Sequence, residues 1–351
     1  MKPLDVASYR RVNESFHRRL VCHVGVDCGF FVELQYMVNA MLYCLAHRIR
    51  FQIYSDDANF GTGIGWTEYF LPFCEEVHET FHRRCNFHRP PSWHQILRLC
   101  NSQKSLSPLA WKLKAILKKW AGRLLAFLAY GEYVLLSQDV PPIPEQYYCI
   151  PELGIDGDYM ATFALLSRMV WRLQPDVLHQ ENAYKSELSL PSVYAGVQIR
   201  GGDKATETRL VDGETIIRKL DLCGGDCVFI LTDDYSQYLK VKSVFPNLRL
   251  MTLCQPDEKG YHHRLFCQVD PRSKKDAILR LIISVDILLG SRSFAGSIIT
   301  GPSVFIMKLR HDDPLVQAVD CPKEELSSAL QLPIYARSLI SIRRLSNESG
   351  A

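Results

Sequence analysis

The chain has 351 residues, of which 47% are hydrophobic and 23% charged, and its formal net charge is +3 at pH 7. This composition is typical of a globular protein long enough for two domains, and it excludes a disordered or fibrous chain. A net charge this small does not favour nucleic acid as the main partner.

The sequence gives no strong signal for a membrane span, for secretion or for a metal. No run of eighteen apolar residues predicts a transmembrane helix, and the N-terminal segment lacks the apolar stretch of a secretory signal. We therefore expect a soluble, cytoplasmic protein. The twelve cysteines show no Cys-x-x-Cys spacing, and the histidine-rich segment Cys74–His94 lacks the spacing of known zinc sites, so no metal is expected.

The first half of the chain begins with a strand–helix–strand pattern. Leu20–Val24 predicts a buried strand, a glycine-bounded turn follows, and Phe31–Ala46 carries apolar residues at helical spacing. Residues 50–55 then predict a second strand. Such a unit is typical of the start of a parallel α/β sheet.

A long amphipathic helix is predicted within residues 107–136. Its apolar stripe, at helical spacing, indicates a side that belongs to the core. We interpret the basic cluster Lys112–Lys119 on the same segment as a solvated helix face or loop. The stripe consists of Trp111, Leu113, Ile116, Leu117, Trp120, Leu124 and Leu128.

The second half of the chain repeats the alternation of strands and helices more clearly. Short apolar runs predict strands over residues 193–199, 227–232, 248–253, 287–291 and 304–309. Amphipathic segments between them predict helices. The pattern indicates a doubly wound α/β domain, whose ligand crevice should lie outside the carboxyl ends of the strands.

Three of these strands are followed by polar, flexible segments. They read RGGDK from Arg200, TDD from Thr232 and GSRSFAG from Gly290. Because the carboxyl ends of parallel strands lie at one edge of a sheet, we expect these segments to meet on one rim.

The residues of this rim have the chemistry of a diphosphate cradle. Arg200 and Lys204 offer two cations, and the glycines between them allow the backbone to approach a ligand closely. Ser291, Ser293 and the helix predicted after them add hydroxyls and unpaired N–H groups. The alternative is a purely structural network in which Arg200 pairs with Asp203 or Asp233.

Two further acidic features have two interpretations each. Glu207 could be a general base that takes a proton from an attacking hydroxyl, or a surface carboxylate on a loop. The pair Asp233–Asp234 resembles a metal-binding pair, but a turn cap after a strand is favoured.

The sequence has no phosphate-binding G-x-x-x-x-G-K-[ST] loop and no G-x-G-x-x-G after the first strand. An ATPase of the first type and a dehydrogenase are therefore disfavoured, and a diphosphate cradle in the second of two α/β domains suggests a nucleotide-sugar transferase.

Three stretches resemble successive motifs of the α1,6-fucosyltransferase family, which includes core fucosyltransferase and bacterial nodulation protein Z. They are GVQIRGGDKATE (196–207), VFILTDDYSQYLKVKSVFPNLRL (228–250) and DILLGSRSFAGSII (286–299). The third is also similar to an element of the protein O-fucosyltransferases. The resemblance covers residues 160–307 well and residues 20–75 faintly.

The resemblance implies a GT-B-like architecture of two Rossmann-like, doubly wound domains facing a cleft. The N-terminal, acceptor-side domain would span residues 1–185, and the nucleotide-sugar-binding domain residues 186–351. It also implies an inverting transfer of fucose from GDP-fucose to a hydroxyl of a glycan or other acceptor. No metal and no further cofactor would be obligatory.

Roles follow from the resemblance position by position. Arg200 would bind the β-phosphate and assist the departure of GDP, Lys204 would add positive charge, and Glu207 would be the candidate base. Ser291, Ser293 and Phe294 would hold the donor. The other donor-binding candidates are Gln198, Gly202, Asp203, Asp233 and Asp276.

Departures from the family pattern leave the donor open. Gln198 stands where the family has a His that helps to read guanine, and Gly201 replaces a second Arg. The guanine-reading Asp falls on Ile278, with Asp276 the nearest acid. Two alternatives therefore stay open: a glycosyltransferase with another nucleotide sugar, and a catalytically silent relative that binds a nucleotide sugar or glycan. The sequence does not predict the acceptor or the oligomeric state.

Overall fold

The computed structural model describes residues 2–26, 28–85, 108–142, 144–202, 210–222, 224–266, 268–332 and 334–348. The chain divides into two compact units. One comprises residues 1–68 and 72–162, and the other residues 69–71 and 163–351. The domain boundary predicted between residues 185 and 186 stays a prediction.

The first unit is built on a small parallel sheet. Among the described residues its strands are β1 (Arg18–His23), β2 (Ile49–Tyr54) and β3 (Val134–Leu136), in the order β2-β1-β3. The predicted strand–turn–helix–strand unit is confirmed, with helix α2 (Phe30–Ala46) between β1 and β2. The other elements are α1 (Val6–Glu14), α3 (His82–Cys85), α4 (Pro108–Tyr130) and the antiparallel pair β4 (Tyr147–Ile150) and β5 (Ile155–Asp158). Short 3₁₀ turns cover Gly65–Glu68, Ser137–Asp139 and Pro151–Leu153.

Buried polar side chains fix this unit at two points. The Asn13 amide donates to the carbonyl oxygen of Phe51 at 2.9 Å and accepts from its N–H at 2.7 Å, which fastens α1 to β2. The Glu33 carboxylate, in the first turn of α2, accepts the N–H groups of Gly25 and Val26 at 3.1 and 3.2 Å. Buried backbone groups need such partners, so the two side chains set the positions of these segments.

The side of α4 predicted to belong to the core is instead turned outward. The side chains of Leu113, Ile116, Leu117, Trp120, Leu124 and Leu128 are exposed, while that of Trp111 lies outside the described residues. The helix packs through a narrow edge at Ala126, which is fully buried. Spacing predicts an apolar face but not the direction in which that face points, and here tertiary packing decides against the prediction.

The second unit contains a larger parallel sheet. Its described strands are β6 (Ala195–Ile199), β7 (Cys227–Thr232), β8 (Arg249–Met251), β9 (Ser293–Gly296) and β10 (Val316–Ala318), in the order β10-β9-β6-β7-β8. From β6 the chain moves outward through β7 and β8, and then returns to the other side of β6 with β9. Sheets with this strand order bind ligands where the order reverses, here between β6 and β9.

Helices connect these strands, and α5 (Tyr159–Val170) carries the chain from the first unit into the second. The remaining helices are α6 (Pro175–Glu187), α7 (Gly213–Lys219), α8 (Tyr235–Val244), α9 (His263–Phe266), α10 (Pro271–Leu289), α11 (Gly301–Leu309), α12 (Lys323–Gln331) and α13 (Ile334–Glu348). None of the helices in the described part of the chain is both long and apolar enough to cross a membrane.

Two of the predicted strands are wrong. Residues 287–289 are the last turn of α10, and the strand lies at Ser293–Gly296 instead. Residues 304–309 belong to α11, in which every residue from Ser303 to Leu309 is buried. A helix without a polar face has no visible helical period, so a short apolar run of this kind does not distinguish it from a buried strand.

Candidate functional site

Two of the predicted polar segments meet at the carboxyl edge of the second unit's sheet. Strands β6 and β7 pair in parallel with Ile199 opposite Thr232. Arg200 and Asp233 are the next residues along each chain, so the register places them side by side. The expectation that RGG and TDD share one edge is confirmed.

Asp233 organises this edge through its carboxylate. Its Oδ2 accepts from the Arg200 guanidinium and from the Tyr261 N–H at 2.8 Å, and its Oδ1 accepts the Gly201 N–H at 2.7 Å. The guanidinium carbon also lies 5.2 Å from the centre of the Tyr261 ring. The ion pair considered as an alternative is therefore present, with Asp233 as the partner.

This ion pair does not remove Arg200 from solvent. The Arg200 side chain keeps 18% of its surface accessible, and that of Asp233 keeps 20%. A guanidinium held in one orientation loses less freedom when it binds an anion than a mobile one does. The pair is thus compatible both with a structural role and with a prepared anion contact.

The glycines after Arg200 allow two backbone segments to touch. Gly202 has φ +63°, and a Cβ built on it would lie 2.2 Å from the Tyr261 carbonyl oxygen. Gly260 has φ +93°, and its Cβ would lie 2.5 Å from the Gly202 Cα. The glycines were predicted to allow close approach of a ligand, but the close approach in the structure is to residues 260–261.

Asp234 caps the helix that follows β7. Its Oδ1 accepts from the Ser236 N–H at 2.9 Å and the Ser236 hydroxyl at 2.6 Å at the start of α8. The turn-cap interpretation is confirmed for this residue. Within the described residues, no group of three or more His, Cys, Asp or Glu side chains is arranged to hold a metal ion.

Ser291, Ser293 and Phe294 do not lie at the edge of the sheet that carries Arg200. Ser293 pairs with Ala195, the first residue of β6, which places it roughly 16 Å along the strand from Arg200. All three residues are buried, and the Ser291 hydroxyl contacts the carbonyl oxygens of Leu288 and Ser293 at 2.7 and 2.9 Å. The expectation that GSRSFAG follows a strand is wrong, because most of this segment precedes or forms β9.

The segment that does follow β9 was not predicted from the sequence. Residues 297–300 leave the strand, and α11 begins at Gly301 with Pro302 in its first turn. The hydroxyls of Thr300 and Ser303 both donate to the Gln198 side-chain oxygen. The Gly–Pro pair at 301–302, a common helix start, was the available signal.

Gln198 is therefore a link between β6 and the start of α11. It is buried, and its oxygen is occupied by the two hydroxyls. Near it, the Asp320 carboxylate accepts from the Ile298 N–H at 3.0 Å and the Ser297 hydroxyl at 2.5 Å. These bonds fix the backbone at the point where the strand order reverses.

The remaining candidates are charged residues. The second cation Lys204, the candidate base Glu207 and Asp203 lie outside the described residues. Asp276 is exposed on α10, whereas Ile278 is buried in the core.

The histidine-rich segment of the first unit forms hydrogen bonds within the protein. His82 lies between His23, at 2.9 Å, and the Tyr130 hydroxyl, at 2.8 Å, and that hydroxyl donates to Glu79 at 2.6 Å. Burial lowers the pKa of His82 to about 4, although Glu79 and Asp56 act in the opposite direction. His82 is therefore neutral near pH 7. His88 and His94 lie outside the described residues.

Comparison with solved structures finds fucosyltransferases. The chain is similar to the fucosyltransferase NodZ from Bradyrhizobium, at 12% identity over 86% of this chain and 94% of that one, with a TM-score of 0.48. It is also similar to FUT1 of Arabidopsis thaliana in complex with GDP, at 10% identity over 86% and 73% of the two chains, with a TM-score of 0.46. For POFUT1 in complex with GDP the values are 11% identity, 85% and 97% coverage and a TM-score of 0.43.

Of these proteins, NodZ is an α1,6-fucosyltransferase. TM-scores below 0.5 do not assign a fold or an activity to this chain. No protein-family profile and no curated protein sequence matches it.

Proposed function

We propose that this protein is an inverting glycosyltransferase that transfers fucose from GDP-fucose to a hydroxyl of a glycan-type acceptor, without a metal. Residues 186–351 would form the nucleotide-sugar-binding domain, and residues 1–185 the acceptor-side domain. The three motifs that occur in family order support the donor class. The order of strands β6 to β10 supports a nucleotide site at the carboxyl edge of their sheet.

The position of Arg200 carries the proposal. It is the first residue after β6, beside the point where the strand order reverses, and Asp233 orients its guanidinium. Arginine can bind two phosphate oxygens at once. A diphosphate bound outside this edge would therefore meet a fixed cation.

In this reaction negative charge develops on the departing diphosphate, and cationic side chains are needed there to stabilise it. The acceptor oxygen would form a bond to the anomeric carbon while the bond from that carbon to the diphosphate oxygen breaks, and GDP would leave with the electron pair. Arg200, with Lys204 as the second cation, would stabilise the departing diphosphate. The acceptor proton would pass to a base, for which Glu207 is the candidate.

One observation favours a second candidate function, that of a silent relative that binds a nucleotide sugar or glycan without turnover. The Gln198 oxygen is engaged by Thr300 and Ser303, at the position where the family reads guanine. A site that has lost base recognition could keep the fold and lose the reaction. The same engagement of Gln198 would also fit an enzyme that uses a different nucleotide sugar as its donor.

Calorimetric titration with GDP, UDP and ADP, first with a chelator and then with Mg²⁺ or Mn²⁺, tests the donor. We expect metal-independent binding of GDP that weakens at least tenfold in Arg200→Ala. A tenfold loss of affinity corresponds to about 1.4 kcal/mol. The loss of a charge-assisted hydrogen bond to phosphate is expected to cost at least this much. Arg200→Lys should recover part of the loss, since a lysine keeps the charge but not the two-point contact. Arg292→Ala, an exposed arginine at the amino end of β9, is the matched control.

Hydrolysis of GDP-fucose then separates the enzyme from its alternatives. Slow release of fucose that Arg200→Ala reduces by roughly a hundredfold would support the proposed reaction. Binding of GDP without any turnover would favour the silent relative, and a preference for UDP or ADP would exclude fucose transfer from GDP-fucose. No binding of any nucleotide would contradict the site itself.

A further inference from the structure

Helix α4 presents a continuous apolar face to solvent. Its residues recur at helical spacing, and we call it the outer face of α4. It consists of Leu113, Ile116, Leu117, Trp120, Leu124, Phe127 and Leu128, whose exposed fractions lie between 42% and 68%. From Leu113 to Leu128 it extends about 22 Å along the helix axis. Apolar patches of this size on a protein surface mark places where something else binds.

Polar contacts along one flank of the outer face fix its direction. Lys119 and Arg123 both reach the Asp139 carboxylate, the former at 3.4 Å. The Tyr130 hydroxyl, at the helix end, donates to Glu79. Ala126 is fully buried between these contacts. The helix is therefore held to the first unit by its small and charged residues, and turning the outer face inward would break the ion pairs.

The charge of the helix is of one sign. Five basic residues and no acidic residue occur between Pro108 and Tyr130, namely Lys112, Lys114, Lys118, Lys119 and Arg123. Lys118 is exposed, and the helical period places it beyond the flank of the outer face that Leu117 and Leu128 form. A surface that contacts the outer face of α4 therefore meets apolar side chains with a positive fringe, formed by Lys118 on one flank and by Lys119 and Arg123 on the other.

We propose that the outer face of α4 binds the surface of a membrane that contains anionic lipid, with the helix lying in the plane of the interface. Leucine and aromatic side chains beside lysine are the composition of helices that insert among lipid headgroups. Basic residues near the surface add attraction to acidic headgroups. A second copy of the chain fits less well, because it would bring the same positive fringe against itself.

This binding does not depend on the proposed function. The residues that carry it lie in the first unit, and those of the candidate site lie in the second. A failure of nucleotide binding would leave the membrane proposal standing, and a failure of membrane binding would leave the candidate site unchanged.

Flotation of the full chain with vesicles tests the proposal. Vesicles of phosphatidylcholine alone are compared with vesicles that also contain phosphatidylserine at about a third of the lipid. We expect the protein to float with the anionic vesicles at least tenfold more than with the neutral ones, and less as salt rises. The double variant Leu117→Glu with Leu124→Glu should stay in the soluble fraction, and Lys118→Glu should bind more weakly.

Leu239→Glu is the matched control, because Leu239 is a half-exposed leucine on α8 of the second unit and should leave flotation unchanged. Circular dichroism melting of each variant shows that the chain is folded. Flotation of the double variant equal to that of the unaltered protein would overturn the proposal. So would the absence of flotation with either vesicle. Sedimentation equilibrium tests whether a second copy of the chain covers the outer face instead. A dimer of the unaltered protein that is lost in the double variant, together with no vesicle binding, would show that it does.

Discussion

The Arg200 guanidinium donates to the Asp233 carboxylate, and the two residues directly follow neighbouring parallel strands. Asp233 also receives the Gly201 and Tyr261 N–H groups, so one side chain holds three segments together. The same carboxylate that orients Arg200 would compete with a diphosphate for it. The pair therefore connects the stability of this edge with its capacity to bind anions.

Replacement of Asp233 by asparagine should destabilise the second unit by about 1–3 kcal/mol, because the amide can no longer accept all of these bonds. Urea unfolding followed by circular dichroism measures the change. Asp257→Asn, at an exposed position of the same unit, should change the free energy of unfolding by much less. Equal effects of the two substitutions would contradict the role of Asp233.

Gly202→Ala should cost more than a positive φ angle alone explains. Gly154 has the same φ of +63° as Gly202, but nothing lies within 4 Å of a Cβ built on it. Gly154→Ala should therefore cost only about 1 kcal/mol, the usual difference for a left-handed alanine. Gly202→Ala adds a clash with the Tyr261 carbonyl, and we expect at least ~2 kcal/mol more.

Denaturant unfolding of both glycine variants measures this difference. Similar losses in the two would show that residues 202 and 261 separate at little cost. In that case the close approach would not hold the edge of the sheet together.

Gln198→Leu should destabilise the second unit by about 1–3 kcal/mol, although leucine is similar in volume and apolar. The Thr300 and Ser303 hydroxyls would lose their shared acceptor in a buried place. Thermal unfolding of this variant is compared with that of Gln146→Leu, at an exposed position of the first unit. A Gln198→Leu protein as stable as the unaltered one would mean that the hydroxyls find other acceptors.

Stability should fall as the pH is lowered from about 6.5 towards 4, partly because of His82. Burial lowers its pKa from 6.5 to about 4 in the folded protein. Between these values the unfolded chain binds a proton that the folded protein does not bind, so the free energy of unfolding decreases with decreasing pH. The full effect of this one group is about 3 kcal/mol.

Urea unfolding at several pH values across this range checks the contribution of His82. His82→Gln should flatten the dependence, whereas His17→Gln, at an exposed position, should keep it. An identical pH dependence in His82→Gln and the unaltered protein would show that other groups cause the loss.

The sequence by itself determined the parallel strands that end in polar residues. Ala195–Ile199 and Cys227–Thr232 are short runs rich in β-branched residues, each followed by a charged side chain, and this pattern favours strands. The adjacency of Arg200 and Asp233 followed from parallel pairing. Which acid would pair with Arg200 did not follow, because Asp203 and Asp233 were both within reach of the chain.

Tertiary structure alone decided three other features. Residues 304–309 form a helix buried on every side, whose sequence has the same apolar run as a buried strand. The register of β9 with β6 placed Ser293 far from Arg200, and register depends on contacts between segments distant in sequence. The outer face of α4 was evident from periodicity, but its direction was set by the ion pairs of Lys119 and Arg123 with Asp139. Local sequence fixes the period of a segment, and only packing against the rest of the chain fixes which side is buried.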